Sequence, residues 1–229
     1  MLDFIIKLVD YPNKIKVLKF LKKNLNNQKL NVIDIGGHKG ETIKFFIDNF
    51  NINKIFVFEP NKELFKFLQK KFTDKKIMIF NYGVGLNNET RNLNILIDSA
   101  SSTMNDIDTN TEYYKRKKKF LSFGNKSFFL GVQSVKVVNL SEFILNSEKK
   151  IDVLKIDTEG FEFNILKGIQ KSDFKKIKFV YLEHHYDLMI KKKYKFADIN
   201  RLLKQNNFYL MFKLKMKFRK SFEYIYGSK

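Results

Sequence analysis

Hydrophobic positions along the chain alternate between two rhythms. Short continuous apolar or β-branched runs read as buried strands, and stretches with apolar residues every three or four positions read as helices. Val32-Ile33 leads into Asp34, Lys54 to Phe58 into Glu59, Ile77 to Phe80 into Asn81, Ile151 to Ile156 into Asp157, and Ile177 to Leu182 into Glu183. Helical spacing follows from Thr42, from Glu63 to Phe72, after Gly160 through Ile169, from Ser141 to Ser147 and from Phe196 to Gln205. Phe208 to Met216 and Phe222 to Tyr226 form two late strands joined by a basic turn, an antiparallel pair. The pattern predicts an α/β fold: five parallel strands plus the late pair in a mostly parallel seven-stranded sheet, with helices on both faces.

Two regions depart from this alternation. Phe4, Ile5, Leu8, then Ile15, Leu18, Leu21 and Leu25 are interrupted by Tyr11-Pro12-Asn13, which predicts two short helices forming an N-terminal helical cap over residues 1–28. Strand-like runs at Leu93 to Ile97 and Ser134 to Val138 flank a polar connection holding Ser99 to Met104 and the basic aromatic segment Tyr113 to Phe120. Within a domain spanning 29–229, that connection, about 99–131, is read as either a lid or substrate insertion or an ordinary surface insertion, and as the place to look for specificity.

The chain carries 44% hydrophobic and 15% aromatic residues, with 25 Phe, enough for a sizeable core. Its formal charge of +20 would suit a nucleic acid, but the lysines are spread along the chain. Lys, Asn, Ile and Phe also share A/T-rich codons, so composition accounts for much of the excess and a nucleic-acid partner is not favoured. The absence of Cys removes disulfides, thiolate metal sites and a Cys nucleophile. No transmembrane segment or signal peptide is read in the sequence, which makes a cytoplasmic location the default expectation.

The chemistry concentrates at strand ends. Gly36, Gly37 and Gly40 follow Asp34 in a tight turn, where the missing Cβ atoms would let a ligand approach the main chain. Glu59, 19 residues beyond Gly40, stands where an acid can accept hydrogen bonds from ribose hydroxyls. The polar exit Asn81-Tyr82-Gly83 is placed to face an adenine edge. Asp34, Glu59, Asp157 with Glu159, and Glu183 thus converge on one rim. Carboxylates there are a poor host for a pyrophosphate and a good one for a sulfonium and an ammonium, which points to S-adenosylmethionine. The glycine spacing agrees, because a dinucleotide fingerprint ending at Gly40 would need glycine at Ile35, and a P-loop would need Lys where Glu41 stands.

Val32 to Gly40, Phe58-Glu59-Pro60-Asn61, and Lys155-Ile156-Asp157-Thr158-Glu159-Gly160 occur in the order and spacing of the FkbM-like methyltransferases, which this chain resembles from about Asn31 to Tyr186. The resemblance implies a Rossmann-like class I methyltransferase fold and S-adenosylmethionine-dependent O-methylation of a sugar, glycan or related small metabolite. It implies that Asp34 and the turn with Gly36, Gly37, Gly40 and Glu41 hold the methionine part of the cofactor and that Glu59, beside Pro60 and Asn61, holds the ribose; His38, on the cofactor side in the same turn, could instead reach the substrate or face solvent. Asn81 and Gly83 would then lie at the adenine, and Asp157 and Glu159 at the reaction centre.

Proton acceptors are sought among Asp157, Glu159, Glu183, His184 and His185, since acids and histidine serve this role. Adjacent strand residues face opposite ways, so one histidine points into the core, and His184 is preferred for the site. Glu159 also stands where it could cap a helix. A divalent metal held by Asp157, Glu159 and Glu183 or His184 is left open but not demanded. An RNA methyltransferase on the same fold and a non-catalytic S-adenosylmethionine-binding protein are the alternatives.

Overall fold

The computed structural model describes residues 2–25, 28–121, 127–145, 148, 150–217 and 220–228. Its main sheet has seven strands, β1 (Leu30–Ile35), β2 (Ile52–Phe58), β3 (Ile77–Phe80), β7 (Ile151–Ile156), β8 (Ile177–His185), β9 (Phe208–Lys215) and β10 (Ser221–Ser228). They run in the order β3-β2-β1-β7-β8-β10-β9. Pairing is parallel from β3 to β8, and only β10 is reversed against both its neighbours. The expected parallel sheet with a terminal antiparallel pair is therefore present, and the order turns outward on either side of β1 and β7, where ligands bind in open parallel sheets.

Alternation along these strands builds two cores. One face carries Ile33, Ile35, Leu154, Ile156, Val180 and Leu182 under α5 (Glu162–Gly168) and α6 (Phe196–Gln205), which contribute Ile165, Leu166, Ile199 and Leu203. The other carries Val32, Val57, Val153 and Phe179 under α1 (Leu2–Leu25), α2 (Glu41–Asn49) and α3 (Lys62–Lys71). On this second face the apolar rows give way, toward the carboxyl ends of the strands, to Asp34, Lys155, Glu183 and His185. Helices lie on both faces, as the pattern predicts.

Two expectations about helices are corrected. Residues 2–25 form one helix, not two. Pro12 costs a helical hydrogen bond, about 3 kcal/mol in a helix interior. Beyond it Val17, Leu21 and Leu25 are buried against the sheet, and Asn13 Nδ2 donates to Lys215 O at 3.1 Å, so docking holds the helix through the proline. The expected helix at Ser141 to Ser147 is a single π turn over Ser141–Leu145, with residues 146 and 147 outside the described set.

The region between β3 and β7 is more ordered than its sequence pattern suggests. β4 (Gly83–Gly85), β5 (Glu89–Leu96) and β6 (Phe129–Asn139) make a separate three-stranded sheet in the order β4-β6-β5. The basic aromatic segment forms α4 (Glu112–Leu121), which buries Tyr114 with Leu96, Phe128, Met189 and Ile190. Single bridges Asn94↔Thr103 and Ile107↔Ile190 tie this insertion to β5 and to the segment after β8.

Candidate active site

The turn after β1 is set by backbone geometry. Gly36 and Gly40 have φ of 91° and 82°, which favour glycine strongly. A Cβ on Gly36 would stand 2.0 Å from the Asp157 carbonyl oxygen, on Gly37 2.4 Å from Val57, and on Gly40 2.2 Å from the Phe72 ring. The three glycines thus let β1 close against β7, β2 and α3. That differs from the expectation that their open side faces a ligand, because the space is already taken by protein.

Around this turn the predicted residues fall into place as follows. Glu59 is buried, and its two carboxylate oxygens accept from the backbone N–H groups of His38 at 2.7 Å and Asn61 at 2.8 Å. Burial raises its pKa, against these two hydrogen bonds. Asn61 caps α3, its Oδ1 accepting from Glu63 N and Leu64 N. Asn81 Nδ2 donates to the carbonyls of Glu59 and Pro60, bracing the end of β2. Glu41 opens α2 and lies 3.4 Å from His38 Nδ1, while Gly83 starts β4 against Met104. Asp34 is completely buried and neither carboxylate oxygen has a hydrogen-bond partner. Desolvation pushes its pKa up to about 8, with Lys155 opposing and Asp157, Glu59 and Glu41 adding to the rise.

The ends of β7 and β8 meet beside this turn. Lys155, buried in β7, lies 3.4 Å from Asp157 Oδ2 and 4.5 Å from the centre of the Tyr181 ring. Desolvation disfavours its charge, but Asp157, Glu223, Glu183 and Asp34 outweigh burial and raise its pKa. Tyr181 donates to Glu223 Oε1 at 2.6 Å, and Ser221 Oγ donates to Glu183 Oε1 at 2.6 Å. Glu159 adopts a left-handed φ of 50°, uncommon for a residue with a side chain and typical of strained functional positions. Its carbonyl is held by Thr103 Oγ1 at 2.8 Å and that of Gly160 by Asn105 Nδ2 at 2.7 Å. Burial pushes the Glu159 carboxyl up to about 7, with His185 and Lys117 opposing.

The structure brings His185, not the preferred His184, to these acids. Residues two apart share a face of a strand, so His185 follows Glu183 and Tyr181. Its Nε2 lies 3.5 Å from both Glu159 Oε1 and Glu183 Oε1, and its Nδ1 3.8 Å from Asp187 Oδ2. His184 turns to the opposite face among Tyr186, Tyr194 and Phe196, with Nδ1 3.7 Å from Glu162 Oε2. Helix entry is likewise served by Glu162 and not by Glu159: Glu162 Oε1 accepts from Gly160 N at 2.8 Å.

The sequence reading missed Glu162, Tyr194, Glu223 and the partners of Lys155. The available signals were a lysine inside an otherwise apolar strand and an acid inside an aromatic one. The insertion covers the assembly: His38 Nε2 is 2.9 Å from Ser99 Oγ, and Lys117 Nζ is 2.9 Å from Asp98 Oδ2 and bonded to Ser101 Oγ. Among the described residues no helix is long and apolar enough to cross a membrane.

A 3-2-1 half, a 7-8 half, one reversed strand and an acid-ended second strand give the architecture of the class I methyltransferase fold. A model of the FkbM methyltransferase domain matches residues 34–210, and the chain belongs to that family. None of the curated proteins matches it significantly. An FkbM methyltransferase from Methylobacillus flagellatus KT superposes with a TM-score of 0.55 at 14% identity, over 86% of this chain and 44% of that one. The chain thus spans less than half of that relative. Magnesium protoporphyrin IX methyltransferase from Synechocystis PCC 6803, with S-adenosylmethionine bound, gives 0.52 at 13% identity, over 98% and 82%. A proposed RNA methyltransferase from Pyrococcus horikoshii gives 0.51 at 11%, over 95% and 84%. At these identities the likeness is one of fold.

Proposed function

We propose that this protein transfers a methyl group from S-adenosylmethionine to a hydroxyl oxygen of a sugar, glycan or related small metabolite. The observation that carries the reading is the acid and imidazole cluster of Asp157, Glu159, Glu183 and His185, set beside the β1 turn and roofed by the insertion. The residues of the cofactor side fit the group. Asp34 offers two buried, unpartnered carboxylate oxygens to a cationic ligand, and Glu59 is fixed by two backbone N–H groups with lone pairs left for a ribose diol.

S-adenosylmethionine supplies a methyl group already activated by its sulfonium, whose bonding pair stays on sulfur. The protein then has to align the acceptor oxygen, exclude water and take up a proton. In this reading the segment carrying Ser99, Thr103 and Asn105 selects the acceptor, because it contacts both His38 and the Glu159–Gly160 turn. Glu159, with Asp157 on the open side, takes the hydroxyl proton as the new C–O bond forms. Buried carboxylates suit a neutral polyhydroxy acceptor better than a phosphate-rich one.

One observation favours RNA as a second reading: α4, within the insertion, exposes Lys115, Arg116, Lys118 and Lys119. Incubation with methyl-labelled cofactor, a saccharide panel and total RNA separates the two. The expected result is label in a saccharide as an alkali-stable ether. Label in RNA alone, with RNA binding that falls steeply with salt, would replace the first reading by the second.

A further inference from the structure

We propose that Asp157, Glu183 and His185 form a binding site for a divalent transition metal ion of intermediate hardness, of the manganese type. One ligand atom from each of the three lies within 4.8 Å of the others. Opposite ligands of an ion with bonds of roughly 2.1–2.2 Å are about 4.3 Å apart, so small side-chain rotations complete the set.

Acids alone would not make a site, but His185 adds an independent observation. The residue is 7% exposed, and its Nε2 is buried, points among Glu183 and Glu159, and has no hydrogen-bond partner. The other ring nitrogen faces Asp187, a buried carboxylate whose Oδ1 is fixed by the backbone N–H of Met189 at 3.0 Å. A carboxylate this near Nδ1 favours the ring proton on that nitrogen and so the Nε2 lone pair for a metal, and a small rotation brings the pair into the hydrogen-bonded arrangement found behind metal-bound histidines. Glu183 is similarly oriented by Ser221 Oγ.

Charge argues the same way. Asp34, Asp157, Glu159, Glu183 and Glu223 share this end of the sheet with Lys155 as their buried lysine, while Lys117 is already committed to Asp98. A mixed imidazole and carboxylate set suits manganese or ferrous iron better than magnesium or calcium, which prefer oxygen alone. Asp157 is 36% exposed, so the ion's open positions face the rim. They would take paired oxygen donors of the acceptor, such as adjacent hydroxyls. That acceptor class rests on the methyl-transfer reading above, whereas the site itself does not.

Manganese(II) titration of the chelator-treated full chain, followed by electron paramagnetic resonance without cofactor or acceptor, tests the site. One ion should bind per chain, at least tenfold more weakly in His185→Ala and about 10- to 100-fold more weakly in Asp187→Asn, which removes only the positioning carboxylate. Pulsed resonance of the unsubstituted protein should show nitrogen coupling from one imidazole, a readout independent of whether the variants fold. Absence of binding, or binding without nitrogen coupling, overturns the proposal and leaves protonated His185 as the balancing cation. Methyl transfer to a saccharide by the ion-free protein in that case would leave the proposed function standing.

Discussion

Two glutamate–histidine pairs, one fully buried and one largely buried, built from neighbouring residues of β8 on opposite faces of one sheet, behave in opposite ways. Glu162 accepts from Gly160 N, Thr158 Oγ1 and the Tyr194 hydroxyl and faces His184. Burial alone would raise its pKa, but these partners outweigh it and hold the carboxyl down to about 2. Glu159 faces His185 at 3.5 Å from a strained backbone, and its carboxyl is pushed up to about 7. Burial therefore does not by itself decide which way a carboxyl shifts. The number of donors aimed at it does.

Removing Glu162 should have the largest effect on folding. Glu162→Ala leaves His184 and Tyr194 without their buried partner and should cost about 3–5 kcal/mol in urea unfolding; a loss below 1 kcal/mol would dissolve the contrast. Glu159→Gln should do the reverse, lowering kcat by roughly 10²–10⁴ while unfolding stability changes by less than about 1 kcal/mol. Equal activity in the variant would remove Glu159 from the chemistry.

Tyr194→Phe deletes one donor to a charged group and should cost about 1.5–3 kcal/mol at neutral pH. Since the Glu162 pKa is lower folded than unfolded, its contribution is present above the ordinary value of 4.5 and is lost as pH falls toward 2. The difference between the parent protein and Tyr194→Phe should therefore shrink through that window, and a difference that grows on acidification would reverse the sign of the argument. The smallest effect is expected away from both pairs: Glu59→Ala should weaken S-adenosylhomocysteine about tenfold, or ~1.4 kcal/mol, the lower end of what hydrogen bonds to a charged group are worth. Calorimetry checks this, with a nicotinamide dinucleotide as the non-binding control.

Much of the framework was legible because it is local. Strand, glycine turn and helix around Asp34, and the acids that end β2, β7 and β8, follow from periodicity and punctuation. Glu162 and Tyr194 were not legible, since their pairing joins positions 32 residues apart on elements whose packing no local pattern encodes. The choice of His185 over His184 lay between these cases. Strand parity ties His185 to Glu183, but only the register Asp34↔Lys155↔Tyr181 shows that theirs is the acidic face. At Pro12 a correct local rule lost to tertiary docking, and α4 was hidden by the polar composition around it.

The filled space beside Gly36, Gly37 and Gly40 changes how experiments on this turn should be understood. With a carbonyl oxygen, a valine methyl and a phenylalanine ring already at the Cβ positions, an alanine scan there would report how the sheet seals against itself. Loss of cofactor affinity in such variants would carry no information about contact. The scaffold freezes this corner whatever it binds, so under the proposed function the latitude for drift toward new acceptors lies in the segment that carries Ser99, Thr103 and Asn105.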